Sequence, residues 1–360
     1  MAQVSVVIGA YRHASHRIPM LSMPTLLSAS PLLSLTALLA LPTLGGVDKT
    51  DKTISSTGTG KSEGKWDAGR IPDLSGRIAV VTGANSGIGF AAAVELARAG
   101  AYVVFAVRDL ERGRAAAAKV SGSTEVRRLD LADLASVREF AERWDGPLDL
   151  LVNNAGVMML PERRTRDGFE MQFGTNHLGH FALTNLLLLH ITDRVVTVSS
   201  GAHRMGDGFI HFENLNLDGI YAPQRAYSQS KLANLLFTLE LQRRLTESGS
   251  RVRSLAAHPG WAATNLQSHT ANPVTRVLMA VGNKVVAQDD KGGALPTLFA
   301  ATQDLPGASF VGPSGPMEMR GAPTLVGRSA AASDVAAAER LWTASEELTG
   351  AVFPLVGAAS

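Results

Sequence analysis

Tyr227 and Lys231 of "YSQSK" stand four residues apart, a spacing that stacks two side chains on one face of a helix. A free tyrosine ionises near pH ~10 and is a poor base at neutral pH. A lysine ammonium beside it, joined by a second cationic group, would favour the phenolate and lower that value. The phenol could then take a proton from an alcohol, or give one to a carbonyl under reduction. Tyrosine and lysine meet at this spacing on many helices, so the pair needs company to carry weight.

"TGANSGIG" (82–89) supplies some. It sits within "GRIAVVTGANSGIGFAAAVELARAGAYVVFAVRD" (76–109), which reads as a strand, a glycine turn, an amphipathic helix and a second β-branched strand. Ala91, Val94, Leu96 and Ala97 give the helix a packed face, and Gly100 is a plausible stop. The first turn of such a helix carries unpaired N–H groups and partial positive charge, which suit a pyrophosphate. Gly83 allows the sharp exit from the strand, Gly87 lets a phosphate approach the backbone, and Gly89 lets the helix pack closely on the sheet. Asn85, Ser86 and Ile88 complete the cradle.

The strand "YVVFAV" (102–107) ends where the adenosine ribose should lie. An acid there would accept the ribose hydroxyls and repel a 2′-phosphate. This chain has Val107, then Arg108, whose guanidinium can pair with a phosphate dianion. NADP(H) is therefore expected in preference to NAD(H). The plainer alternative is that Arg108 pairs with Asp109 or Glu111 on the surface.

Further segments must position these groups. "LDLLVNNAGVM" (148–158) is an apolar strand running into short polar residues that hold backbone turns. "TNHLGHFALTNLLLLH" (175–190) is apolar almost all round and reads as a buried helix. His177 and His180 share a face of it but have no carboxylate at metal-ligand spacing, so they read as packing or surface residues and no metal is expected. "DRVVTVSSGAH" (193–203) is a strand ending in two serines. Adjacent strand residues point to opposite faces, so at most one of Ser199 and Ser200 enters a site, and spacing cannot choose between them. "AAHPGWAATNL" (256–266) follows another strand and turns at Pro259 and Gly260; His258 reads as structural.

Taken in order, the T-G-x-x-x-G-x-G loop, N-N-A-G, the helix asparagine, the serine strand and Y-x-x-x-K resemble the short-chain dehydrogenase/reductase family over residues ~70 to ~320. The resemblance implies an α/β chain with a Rossmann-type doubly wound parallel sheet in a single domain. It implies hydride exchange between a nicotinamide and a substrate carbon, with Tyr227 handling the proton. Ser200 would hold the substrate oxygen beside Ser199, and Asn176 would hold a water for proton relay. Tyr227 and Lys231 would also meet the cofactor, Lys231 through the nicotinamide ribose. Asp130 and the Leu131 amide, in "RRLDLAD" (127–133), would meet the adenine ring. Asn154, Ala155 and Gly156 would support the sheet centre and the cofactor, and Pro259, Gly260 and Thr264 the nicotinamide. The long separation of Ser200 from Tyr227, with "VSSGAHR" and "YSQSKLANLLFTLEL", resembles the retinol dehydrogenase-like branch. The insert at 205–225 accounts for the length. The family commonly pairs through the helices carrying Asn176 and Tyr227, which makes a homo-oligomer an option.

The substrate lid would lie near 261–292. Val277, Leu278, Met279, Val281 and Val285 would either cover a lipophilic alcohol, aldehyde or ketone or pack on the core, and Trp261 would wall the pocket. A catalytically silent NADP(H)-binding regulator is the competing class. "GPSGP" (312–316) misses the serine-hydrolase elbow by a proline.

Composition narrows the field. The 34 basic and 32 acidic residues nearly cancel and form no runs, so nucleic acid is not an expected partner. There is no cysteine, hence no disulfide, thiolate metal site or cysteine nucleophile. Residues 1–64 differ from the rest. The apolar stretch 18–46 is broken by Pro19, Pro24, Pro31 and Pro42, leaving no run long enough to span a bilayer as a helix. A polar Gly/Ser/Thr-rich linker follows. A targeting or membrane-contact segment is one reading. A disordered extension ahead of a cytoplasmic enzyme domain at 65–360 is favoured, because nicotinamide nucleotides are held inside the cell.

Overall fold

β-branched and apolar runs become the strands of one sheet. A computed structural model describes residues 65–260 and 289–355. The extension 1–64, Trp261, Thr264 and the lid up to residue 288 lie outside the described residues. The strands are β1 (Ile78–Thr82), β2 (Tyr102–Val107), β3 (Thr124–Arg128), β4 (Leu148–Asn153), β5 (Ile191–Val198), β6 (Arg253–Ala257), β7 (Phe310–Pro313) and β8 (Pro323–Leu325). Their order is β3-β2-β1-β4-β5-β6-β7-β8. All neighbours pair in parallel except β8, which closes the edge antiparallel to β7. The order reverses between β1 and β4, and ligands of open α/β sheets bind in the crevice at such a point. The expected Rossmann-type doubly wound sheet is what the chain forms.

Helices cover both faces, which is why the central strands are apolar without alternation. Ala79, Val81, Val103 and Phe105 face one layer with α1 (Gly87–Arg98), α2 (Leu110–Ala117) and α6 (Asp290–Thr302). Val80, Val104 and Leu151 face the other, with α3 (Leu134–Glu142), α4 (171–187), α5 (Pro223–Glu247) and α7 (Val335–Thr349). The α4 helix is the buried one expected from its apolar sequence, but it is not regular. Met171–Phe173 passes through a π turn, Gly174–Leu178, into Gly179–Leu187. Glu170 caps its start, accepting from the Gln172 and Phe173 amides at 2.8 and 2.6 Å.

The outer faces of α4 and α5 are covered from within the chain. Trp342 of α7 meets Phe181 edge-on at 4.8 Å and stacks on Phe237 at 5.8 Å. The Arg244 guanidinium lies 4.6 Å from the same indole, and all three aromatic rings are buried. Burying such rings dominates local packing energy. Among the described residues, no helix is long and apolar enough to cross a membrane.

Candidate active site

The C-terminal ends of β1, β2, β4, β5 and β6 gather the motifs at one edge of the sheet. After β1 the chain turns at Gly83 (φ 68°) and enters α1 at Gly87 (φ 60°), both in the left-handed region that favours glycine. Ser86, the N-cap of α1, makes no side-chain cap bond, and no acid lies in the first turn. The first-turn amides therefore remain as donors, and the backbone around Gly87 is open, with Asp290 Oδ1 3.9 Å from where a Cβ would stand. The cradle fits a pyrophosphate. Asn85 and Ser86 are partly accessible, while Ile88 is buried.

Gly89 does more than bring helix to sheet. A Cβ there would overlap Asn154 Nδ2 and stand 2.9 Å from the Gly83 carbonyl oxygen. The Asn154 amide donates to the Thr82 carbonyl at 2.8 Å, and the Asn154 and Ala155 backbone N–H groups both donate to Thr82 Oγ1 at 2.9 Å. The N-N-A-G turn is thus fastened onto the glycine loop. The local sign of this task in the sequence is the place of Thr82 just before Gly83. Asn153 turns away and donates to Thr184 Oγ1 at 2.9 Å.

Arg108 follows β2 and is exposed. Its alternative partners are engaged elsewhere: Asp109 caps α2 through the Arg112 amide, and Glu111 pairs with Arg114. Among the described residues Arg108 makes no ion pair. Asp130 accepts from the Ala132 amide at 3.1 Å, and its own N–H donates to Ser136 Oγ at 3.0 Å. Leu131 beside it is buried.

Asn176 lies in the π turn and is fully buried. Its Oδ1 accepts from the Val157 amide at 2.8 Å, and its Nδ2 donates to the Val157 carbonyl and to Ser230 Oγ, each at 2.9 Å. Gly156 lies against it: a Cβ there would stand 3.2 Å from Asn176 Oδ1 and 3.7 Å from Lys231 Nζ. Asn176, Gly156 and Lys231 therefore share one spot, and Ser230 couples that spot to the tyrosine helix.

The structure separates the two serines. Ser199 is buried and donates its hydroxyl to the Lys231 carbonyl at 2.7 Å, fastening β5 to α5. Ser200 is partly accessible, accepts from the Ala202 amide at 3.1 Å and lies beside the Tyr227 phenol, whose pKa it helps to lower. Of the two, Ser200 alone meets the tyrosine. Lys231 Nζ donates to the Val198 carbonyl at 3.0 Å, and Asn234 donates to the same oxygen at 3.1 Å. The ammonium lies 5.7 Å from the centre of the Tyr227 ring. Pro259 and Gly260 follow β6, and Gly260 (φ 70°) abuts the Met319 carbonyl, where a Cβ would collide. His258, read as structural, bridges Glu318 Oε2 at 2.9 Å and accepts from the Gly260 amide at 3.2 Å.

Burial raises the Tyr227 pKa, and the neighbouring Ser200 only partly offsets it. Burial also depresses Lys231 to about 8, because its ammonium has a carbonyl dipole rather than a carboxylate for company. The linkage sign follows. From about pH 8 to the ordinary lysine value near ~10.4, the unfolded chain holds more protons at this site, so folding gains stability as pH rises. Below that window the full cost of burying the ammonium applies. Lys231→Met removes the cost, so its Tm advantage over the wild type should shrink steadily from about pH 7 to about pH 10. Paired thermal melts at each pH check this; a constant difference would mean that Lys231 is not held at a depressed value.

A phosphate cradle at the switch point of a doubly wound sheet, beside a serine–tyrosine–lysine group, defines a nucleotide-dependent oxidoreductase site. The description "short chain dehydrogenase" matches residues 77–274, and the chain belongs to that family. Within it, the chain is retinol dehydrogenase-like. It is 41% identical to retinol dehydrogenase 13 of Homo sapiens over 300 residues, covering 79% of this chain and 87% of that protein. A crystal structure of an uncharacterised protein from Mycobacterium paratuberculosis superposes with TM-score 0.70 at 54% identity, covering 81% of this chain and 99% of that one. A protein from Beutenbergia cavernae, assigned as an NAD(P)-dependent gluconate 5-dehydrogenase and carrying NADP at low occupancy, superposes with TM-score 0.51 at 28% identity, over 64% of this chain and 91% of that one.

Proposed function

We propose that this CH–OH oxidoreductase uses NADP(H) in preference to NAD(H) and interconverts an alcohol and a carbonyl on a lipophilic small molecule. The carrying observation is the meeting of Ser200, Tyr227 and Lys231 beside Asn176 and the glycine cradle. The bound nicotinamide supplies or takes the hydride. Gly83, Asn85, Ser86, Gly87, Ile88 and Gly89 would hold its pyrophosphate, Asp130 and Leu131 its adenine, and Asn154, Ala155 and Gly156 the inner face. Pro259, Gly260 and Thr264 would meet the nicotinamide end. Ser200 positions the substrate oxygen by hydrogen bonding. Tyr227, kept protonated by burial, gives its proton to a carbonyl oxygen there, or as phenolate takes one from an alcohol. Lys231 supplies positive charge behind the phenol.

The preference for NADP(H) is supported by Arg108, which is exposed and free of the acids beside it, and by the NADP bound to the Beutenbergia protein. An apolar substrate is supported by Val157, Met158, Met159 and Leu160 beyond the N-N-A-G turn, and by relatives named for retinol. On this reading residues 261–292 cover the substrate.

The test is NADPH oxidation with a panel of apolar aldehydes and ketones. Turnover is expected; tight NADPH binding with no turnover on any of them would make the chain a regulatory binding protein instead. Arg108→Ala tests the cofactor half. It should weaken NADPH by roughly tenfold or more, the loss of a charge-assisted bidentate contact, and leave NADH nearly unchanged. Equal losses for both dinucleotides would remove Arg108 from the selection.

A further inference from the structure

His180 is a buried titratable group that the proposed chemistry leaves without a role. It sits on α4, four residues beyond Asn176, and is 1% exposed. Its Nδ1 lies 3.0 Å from the Asn176 backbone carbonyl oxygen and its Nε2 lies 2.9 Å from Thr82 Oγ1. A hydrogen inventory fixes the form of the ring. The carbonyl can only accept, so Nδ1 carries the hydrogen. Thr82 Oγ1 already accepts from the Asn154 and Ala155 amides, which fill its two lone pairs. Its own hydrogen then goes to His180 Nε2 at 2.9 Å, because the alternative acceptor, the Val152 carbonyl, is 3.4 Å away. Every donor and acceptor is matched only for the Nδ1–H imidazole.

The two ends of this bridge belong to different halves of the site. Thr82 ends β1, precedes Gly83 and carries the N-N-A-G turn. Asn176 sits in the π turn, which departs from the regular helical hydrogen-bond ladder. Its side chain holds Ser230 Oγ, and Ser230 in turn donates to the Tyr227 carbonyl at 2.8 Å. We infer that His180 is a positioning residue that bolts the Asn176 turn to Thr82, so that the dinucleotide cradle and the Tyr227–Lys231 helix keep one fixed spacing. Its effect on turnover rests on the proposed function; its effect on the cradle and its tautomer do not. Burial, reinforced by the Lys231 charge and opposed by the bond to Asn176, holds the ring near pKa 4. The neighbouring His177, itself held to about 3 by burial, also faces it. The bridge therefore keeps its form across the working pH range.

Two substitutions separate bolt from packing. His180→Phe keeps a ring in the space and removes both bonds. His180→Asn restores a donor to the carbonyl four residues back, as Asn185 does to Phe181 on the same helix at 3.0 Å, but does not reach Thr82. With His180→Phe, kcat at saturating NADPH should fall roughly 10- to 100-fold, the scale of a small misplacement of reacting groups. NADPH affinity, read by fluorescence titration, should fall about tenfold, because two buried partners lose their hydrogen bonds. His180→Asn should recover most of kcat and little of the affinity. The ¹⁵N resonances of the wild-type ring should show a hydrogen on Nδ1 alone from about pH 5 to about pH 8.

Wild-type kcat and affinity in both variants would overturn the inference. So would equal losses in both, which would mean packing alone, or an Nε2–H or doubly protonated ring in that range. If the wild type binds NADPH but reduces no carbonyl, the proposed function fails. The affinity difference and the tautomer then still decide the role of His180.

Discussion

Tyr227→Phe is expected to abolish turnover while NADPH still binds. The substitution removes one oxygen and keeps the ring against Lys231, 5.7 Å from its Nζ in the parent. What is lost is the phenol beside Ser200, the group that on the proposed function moves a proton at an oxygen held there. Positioned acid–base groups contribute roughly 10²–10⁴-fold, and kcat should fall on that scale. Fluorescence titration should return a Kd for NADPH within about threefold of the parent, well under the ~1.4 kcal/mol that a tenfold change represents. Because burial raises the phenol's pKa, alcohol oxidation by the parent should rise with pH as the phenolate becomes available, whereas carbonyl reduction should not. A Tyr227→Phe protein retaining more than about a tenth of parental kcat would contradict the expected scale and give the proton to another group.

The second large effect is expected at Gly89. A single added methyl would overlap the Asn154 amide and press on the Gly83 carbonyl oxygen at 2.9 Å. Asn154 cannot swing aside without breaking its bond to the Thr82 carbonyl, and the Gly83 oxygen cannot move without moving the loop. Overpacking of this kind costs about 1–3 kcal/mol. Gly89→Ala should therefore lower Tm by several degrees and NADPH affinity by more than about tenfold, since the cradle itself must shift. Gly87→Ala is the useful contrast. There a Cβ meets open space, with Asp290 Oδ1 3.9 Å away, and only the left-handed backbone resists it, a penalty of roughly 1–2 kcal/mol. Melts and titrations of the two variants together check the comparison. If Gly89→Ala were the milder of the two, the seat of Asn154 would be the wrong place to look for the function of this glycine.

Much of this site was legible in the sequence because its chemistry is local. The glycine spacing needs only a strand before it and a helix after it, and Tyr227 and Lys231 meet through helical period alone. Sequence could not choose between Ser199 and Ser200, since alternation says that they diverge but not which way. That choice needed α5, whose Lys231 carbonyl takes up the Ser199 hydroxyl. The π turn at Gly174–Leu178 left no mark in the apolar pattern, because a run that is apolar all round hides its own phase. His177 and His180 looked alike three residues apart, yet one meets Ser345 of α7 and the other Thr82 of β1; partners so distant in sequence have no local signature. The pull of burial on Tyr227 and Lys231 could not be read from their spacing, because burial is a property of the folded whole. Arg108 went the other way: its possible surface partners were visible in sequence, and the structure occupies them elsewhere.

The α7 helix has a consequence for how the molecule behaves on dilution. A face completed by a second molecule is lost as concentration falls, because its occupancy follows mass action. Here Trp342, seated between Phe181 and Phe237, is tethered to the surface it covers, so its effective concentration is fixed by the chain and not by the tube. The aromatic seam behind Asn176 and Tyr227 should be as intact in a nanomolar assay as at the concentration inside a cell.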